Sequence, residues 1–134
     1  MRVFTPRRSL PRSELARLTQ IDYAREMAFI AERRGPDGQP ETIGTVRAIS
    51  DPDNVEAEFA IVVRSDLKGR GLGRLLLGKL ERYAVAQGLQ RITGVVLHEN
   101  TAMLDLARHC GFEVDADKPR EPGVVALVRR LPRL

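Results

Sequence analysis

Cysteine is nearly absent from these 134 residues: Cys110 stands alone, so no disulfide forms within the chain and a reducing compartment is implied. Tryptophan is missing, and the four Phe and two Tyr do not interleave with basic residues as a base-stacking nucleic-acid surface requires. No apolar run nears the roughly 20 residues of a membrane-spanning helix. No basic, apolar, then small-residue leader opens the chain, so the expected residence is cytoplasmic, with neither nucleic acid nor membrane as partner. His98 and His109 have no metal-ligand spacing with other Cys, His or carboxylates, which predicts no metal. The net charge of +4 comes from scattered arginines and reads first as a compositional bias, though it favours an anionic ligand through long-range attraction. The length suits one domain, residues 1–134, with a single core.

What the chain does have is an apolar strand running into Arg64-Ser65-Asp66-Leu67-Lys68-Gly69-Arg70-Gly71-Leu72-Gly73-Arg74. Glycine stands at three alternate positions there, and a leucine-rich helical pattern follows at once. A helix N-terminus offers free backbone N–H groups and the positive end of the dipole. Glycine keeps that backbone bare to a phosphate. The stretch reads as a pyrophosphate cradle. A dinucleotide fingerprint fails because Arg74 replaces its third glycine and no acidic ribose partner follows. A P-loop fails because Leu80 follows Lys79 where Ser or Thr would hold Mg²⁺.

The flanking pattern predicts the rest. Ser13 suits an N-cap for a short helix over 14–20. Strands are expected over 24–33 and 42–49, joined by a Gly/Pro-rich hairpin turn, then over 56–63 after the turn Asp51-Pro52-Asp53-Asn54. Leu72, Leu75, Leu76, Leu77, Leu80, Tyr83 and Ala84 mark a helix over 71–87, stopped by Gly88. A strand over 91–97 then lies parallel to 56–63. Asn100 caps a helix through His109, and strands follow at 112–114 and 124–129. The fold class is α/β, with a mixed, largely antiparallel sheet flanked by helices.

This order resembles the GNAT acetyltransferase superfamily. Its Arg/Gln-x-x-Gly-x-Gly/Ala signature falls on Lys68-Gly69-Arg70-Gly71-Leu72-Gly73, with lysine keeping the first cation. Its second signature falls on Asn100-Thr101-Ala102-Met103 through Leu106-Ala107-Arg108-His109-Cys110-Gly111-Phe112. Leu18-Thr19-Gln20-Ile21-Asp22-Tyr23, Met27-Ala28 and Asp51 through Ala60 are similar to one subgroup. Its members are bacterial protein lysine acetyltransferases, often fused to an acyl-CoA-synthetase-like domain. The resemblance implies acetyl-CoA as cosubstrate and a protein lysine as acceptor. It also implies a fold whose first strand and first helix are missing here, since the Thr-Gln-Ile-Asp segment comes early.

A lysine amine is protonated near neutrality, with an ordinary pKa of ~10.4, so attack on a thioester needs a base. The resemblance assigns that role to Glu58. Strand alternation sets Glu58, Ala60 and Val62 on one face and Phe59, Ile61 and Val63 on the other. Burial of that carboxylate would tune it for base work near neutrality. Glu56 shares its parity and is the fallback. By resemblance, Ile61, Val62 and Val63 pair their backbone with pantetheine, and Lys68 to Arg74 hold the diphosphate. Asn100 is either a pantetheine ligand or a plain N-cap, and both can hold. The tyrosine that many such enzymes carry seven residues after the asparagine is Ala107 here, so water donates the proton or the thiolate leaves unprotonated. Cys110 reads as a small buried hydrophobe. The alternatives are a small-molecule amine as acceptor, or a non-catalytic acyl-CoA-binding module.

Overall fold

The computed structural model describes residues 15, 17–22, 24–64 and 71–132. Seven strands and two helices follow in the order β1 Arg17–Asp22, β2 Glu26–Arg34, β3 Pro40–Ser50, β4 Glu56–Val63, α1 Leu72–Ala86, β5 Arg91–Leu97, α2 Thr101–His109, β6 Glu113–Val114 and β7 Val124–Arg130. They form one sheet in the order β1-β2-β3-β4-β5-β7-β6. Every neighbouring pair is antiparallel except β4 and β5. A strand–helix–strand crossover is the connection a parallel pair needs. No described helix is long and apolar enough to cross a membrane.

The expected helix over 14–20 is instead strand β1, antiparallel to β2 with Leu18 opposite Ala31. Two leucines three apart suggest a helix, but so short a segment cannot sustain one alone. Pairing with an existing strand satisfies its backbone and buries Leu18 at the same time. β-branched Thr19 and Ile21 suit that choice.

The core lies on one face of the sheet. Leu72, Leu76, Leu77, Leu80 and Ala84 of α1 are buried against Met27, Phe29, Val46, Ala48, Ala57 and Phe59 from the strands. Gly44 of β3 lets α1 come close, because a Cβ there would stand 3.0 Å from Leu72 Cδ2 and 3.1 Å from Leu76 Cδ1. α2 lies beside α1, where a Cβ on Gly73 would meet Leu106 Cδ2 at 2.7 Å. The opposite face carries exposed apolar residues, among them Ile49, Val62, Val95 and Leu97.

Arginine–glutamate pairs lace the strands together: Arg17 with Glu32, Arg47 with Glu26, Arg91 with Glu56 and Arg130 with Glu113. Glu41 takes two partners, Arg33 at 2.8 Å and Arg64 at 2.7 Å. Their hydrogen bonds hold its carboxyl below the usual carboxylate range. A folded-state pKa below the unfolded one adds stability at pH above the unfolded value of about 4.5. That contribution is lost as pH falls through the lowered folded value. The difference in urea midpoint between the wild type and Glu41→Gln should therefore shrink steadily below pH ~4.

Candidate active site

β4 and β5 form a fork. Their pairing covers Glu56–Arg91, Ala57–Ile92 and Glu58–Thr93 and goes no further, although β4 runs on to Val63 and β5 to Leu97. The closed end is pinned by a turn. Asp51 Oδ1 accepts from Val55 N at 2.8 Å and Glu56 N at 3.2 Å. Gln90 N donates to Val55 O at 2.7 Å, which starts β5 beside β4.

The wedge at the fork is Phe59. Its ring rests on Gly94 so closely that a Cβ there would stand 2.2 Å from Phe59 Cε1. Phe112, just past α2, packs on the same ring with centroids 5.2 Å apart. Past the wedge, β4 stays paired to β3 through Val63–Gly44, and Arg64 N donates to Ile43 O at 2.9 Å. Hydrogen bonding alternates along an antiparallel ladder, so Phe59, Ile61 and Val63 turn their N–H and C=O groups toward the gap. Of the three backbone candidates, Ile61 and Val63 thus face it, while Val62 bonds toward β3.

The open end of the fork meets the start of α1. Gly71 occupies the N-cap with φ 86 and provides no side-chain cap. Its carbonyl accepts from Leu75 N at 3.0 Å, which begins the helix. The amides of Leu72, Gly73 and Arg74 precede any intrahelical bond. No acidic residue lies in this first turn, whose exposed Arg74 adds a cation. Gly73, expected only to clear a ligand, also clears Leu106. Lys68, Gly69 and Arg70 lie outside the described residues.

Glu58 sits at the last rung of the fork on the bare face. It is exposed, which overturns the expected burial: the helices cover the other face, and residues of the 115–123 segment line the same groove without burying it. A groove of about 680 Å³ runs from Glu58 over Thr93 and Val95 to His98 and to Lys118 and Arg120 in that loop. Among the described residues, every strand glutamate except Glu58 has an arginine partner. Glu56, the fallback, is bound to Arg91 Nε at 2.8 Å. In a chain so rich in arginine, one unpaired carboxylate at the mouth of a strand fork stands out.

Asn100 caps α2, its Oδ1 accepting from Met103 N at 3.2 Å; among the described residues its Nδ2 has no acceptor. Ala107 is fully buried. Cys110 is partly buried, and that burial pushes its thiol up, toward the neutral form. This is the behaviour expected of a packing residue rather than a nucleophile. No group of three or more His, Cys, Asp or Glu able to hold a metal occurs among the described residues.

The model of the acetyltransferase (GNAT) family matches residues 2–112. The chain belongs to the GNAT family. Acetyltransferase Pat of Mycolicibacterium smegmatis is 32% identical over 113 residues, 82% of this chain and 32% of that protein. The L-methionine sulfoximine/L-methionine sulfone acetyltransferase of Pseudomonas aeruginosa is 38% identical over 63 residues, 47% of this chain and 37% of that protein. The crystal structure of the GNAT domain of S. lividans PAT superposes with a TM-score of 0.68 at 28% identity, covering 84% of this chain and 65% of that one. The chain thus spans about a third of the length of these two curated relatives.

GNAT enzymes use acetyl-CoA, and a split between two parallel strands beside an open helix N-terminus suits a long ligand with an anionic middle. Sequence reasoning overlooked Thr93 and Gly94. A glycine inside the apolar run Ile92–Leu97 was the available signal, since strand glycines often mark close approach.

Proposed function

We propose that this GNAT domain transfers acetyl from acetyl-CoA to the ε-amine of a lysine on a protein. The observation that carries the reading is Glu58: among the described residues, the one strand glutamate without an arginine partner, held at the last rung of the fork. The amides of Leu72, Gly73 and Arg74 take the coenzyme's diphosphate, joined by Lys68, Gly69, Arg70 and Gly71. Ile61 and Val63 bond its pantetheine arm in place of the missing β5 partners, and Asn100 Nδ2 adds a donor.

With the thioester in the gap, an amine entering along the groove meets Glu58 first. Glu58 takes its proton, and the nitrogen lone pair attacks the carbonyl carbon. As the C–S bond of the tetrahedral adduct breaks, its nitrogen gives up a second proton to the departing sulfur or to water, leaving the amide and releasing coenzyme A as thiol or thiolate. The bound acceptor itself desolvates the exposed carboxylate. Exposed Ile49, Val62 and Val95 around Glu58 suit the four-carbon stem of lysine. A second reading, a small amino acid as acceptor, draws on the Pseudomonas relative and on Lys118 and Arg120, which suit a carboxylate in the same groove.

Labelled acetyl-CoA incubated with this protein and either a bacterial lysate or a panel of amines, L-methionine sulfone included, separates the two. Label in protein lysines supports the first reading; label only in small amines replaces it. Gly71→Ala tests the cradle. A Cβ at φ 86 costs roughly 1–2 kcal/mol, and relaxing that strain moves the amides off the diphosphate. Calorimetry should show acetyl-CoA Kd rising by about fivefold or more.

A further inference from the structure

The geometry points to Thr93 as a second contact for the acceptor amine, its hydroxyl accepting a hydrogen bond from the nitrogen that Glu58 deprotonates. This rests on the acetyl-transfer reading above. Thr93 is the only buried polar residue among those described, with 7% of its surface exposed. It stands directly across from Glu58 in the parallel pair, on the same face and at the last rung before the strands part. Both line the same groove. No hydrogen bond ties the Thr93 hydroxyl to another described residue, yet its oxygen is not sealed from solvent.

The fold itself has no use for that hydroxyl. Valine is as stiff and as suited to a strand, and neighbours Ile92, Val95 and Val96 are aliphatic. Valine would fill the same place with no hydroxyl to hydrate at the groove wall. A ligand supplies the reason to keep it. An incoming ammonium has three N–H donors. One proton passes to Glu58, and a second N–H points to Thr93 Oγ1 across the rung. Turning about its C–N bond, the neutral amine then holds its two remaining N–H groups toward the Glu58 carboxyl and Thr93 Oγ1, and its lone pair faces the diverging strands, where the thioester carbonyl must lie.

The test uses Thr93→Val and Thr93→Ser, with Nα-acetyl-L-lysine amide and L-methionine sulfone as acceptor probes. Thr93→Val should lower kcat/KM for whichever probe is accepted by roughly ten- to a hundredfold, the range of a hydrogen bond to a charged group. It should leave acetyl-CoA KM within about twofold and the melting temperature no lower. Thr93→Ser should restore most of the loss, because it returns the oxygen. Wild-type kcat/KM in Thr93→Val overturns the assignment, as does a loss that Ser fails to recover, which would be packing. If Glu58→Gln keeps full turnover while Thr93→Val is impaired, the base is wrong and the Thr93 contact stands. A wild-type protein that acetylates neither probe overturns both.

Discussion

Glu58→Gln should keep acetyl-CoA affinity and lose turnover by ~10²–10⁴-fold, the usual worth of a general base. The amide is nearly isosteric and, like the carboxylate, carries no ion pair to break, so the melting temperature should stay within a degree or two of wild type. That separation is unusual on this sheet. Glu26, Glu32, Glu41, Glu56 and Glu113 each pair with an arginine, whereas Glu58 has no such partner among the described residues. Initial rates with acetyl-CoA varied at saturating acceptor, beside calorimetric titration of the coenzyme, give both numbers. Undiminished turnover would transfer the proton to solvent, since Glu56 is occupied by Arg91.

Gly94→Ala should be a severely damaging substitution, with the closest clash among the described glycines. Its Cβ would overlap the Phe59 ring at 2.2 Å, with two more ring atoms within 2.9 Å, and Phe112 blocks the ring's retreat. Overpacking of this kind costs up to about 3 kcal/mol or more. Urea unfolding should show that loss, and acetyl-CoA binding should weaken with it because the fork is reshaped. Phe59→Leu costs stability on its own, but in combination with Gly94→Ala it should recover at least about 1 kcal/mol relative to additivity. Strictly additive losses would mean that Phe59 is not what holds the strands apart.

Much of this was legible in the residues because local pattern and tertiary demand agreed. The alternation of Glu56–Val63 and the apolar run Arg91–Leu97 give both central strands to the residue. The leucine period gives α1 to within one residue at either end. Gly71 at φ 86 and Asn100 bonded to Met103 N bear out the helix starts that their types suggest. β1 was misjudged because six residues hold too little period to separate strand from helix, and an edge strand is decided by its partner. Glu58's face followed from parity, but its exposure did not, since that depends on which face the helices cover. The fork's wedge lay beyond local pattern as well. Phe59 and Gly94 are 35 positions apart, and neither residue alone announces the other.

The fork has a mechanical consequence. Joined over a few rungs at one end, the two halves of the sheet resemble the blades of tongs riveted at Glu56–Arg91, with Phe59 as the spacer near the rivet. Strand amides of β5 facing the slot should exchange with deuterium far sooner than those bonded to β7. Filling the slot with coenzyme should slow them, so that the blades stiffen into one continuous plate.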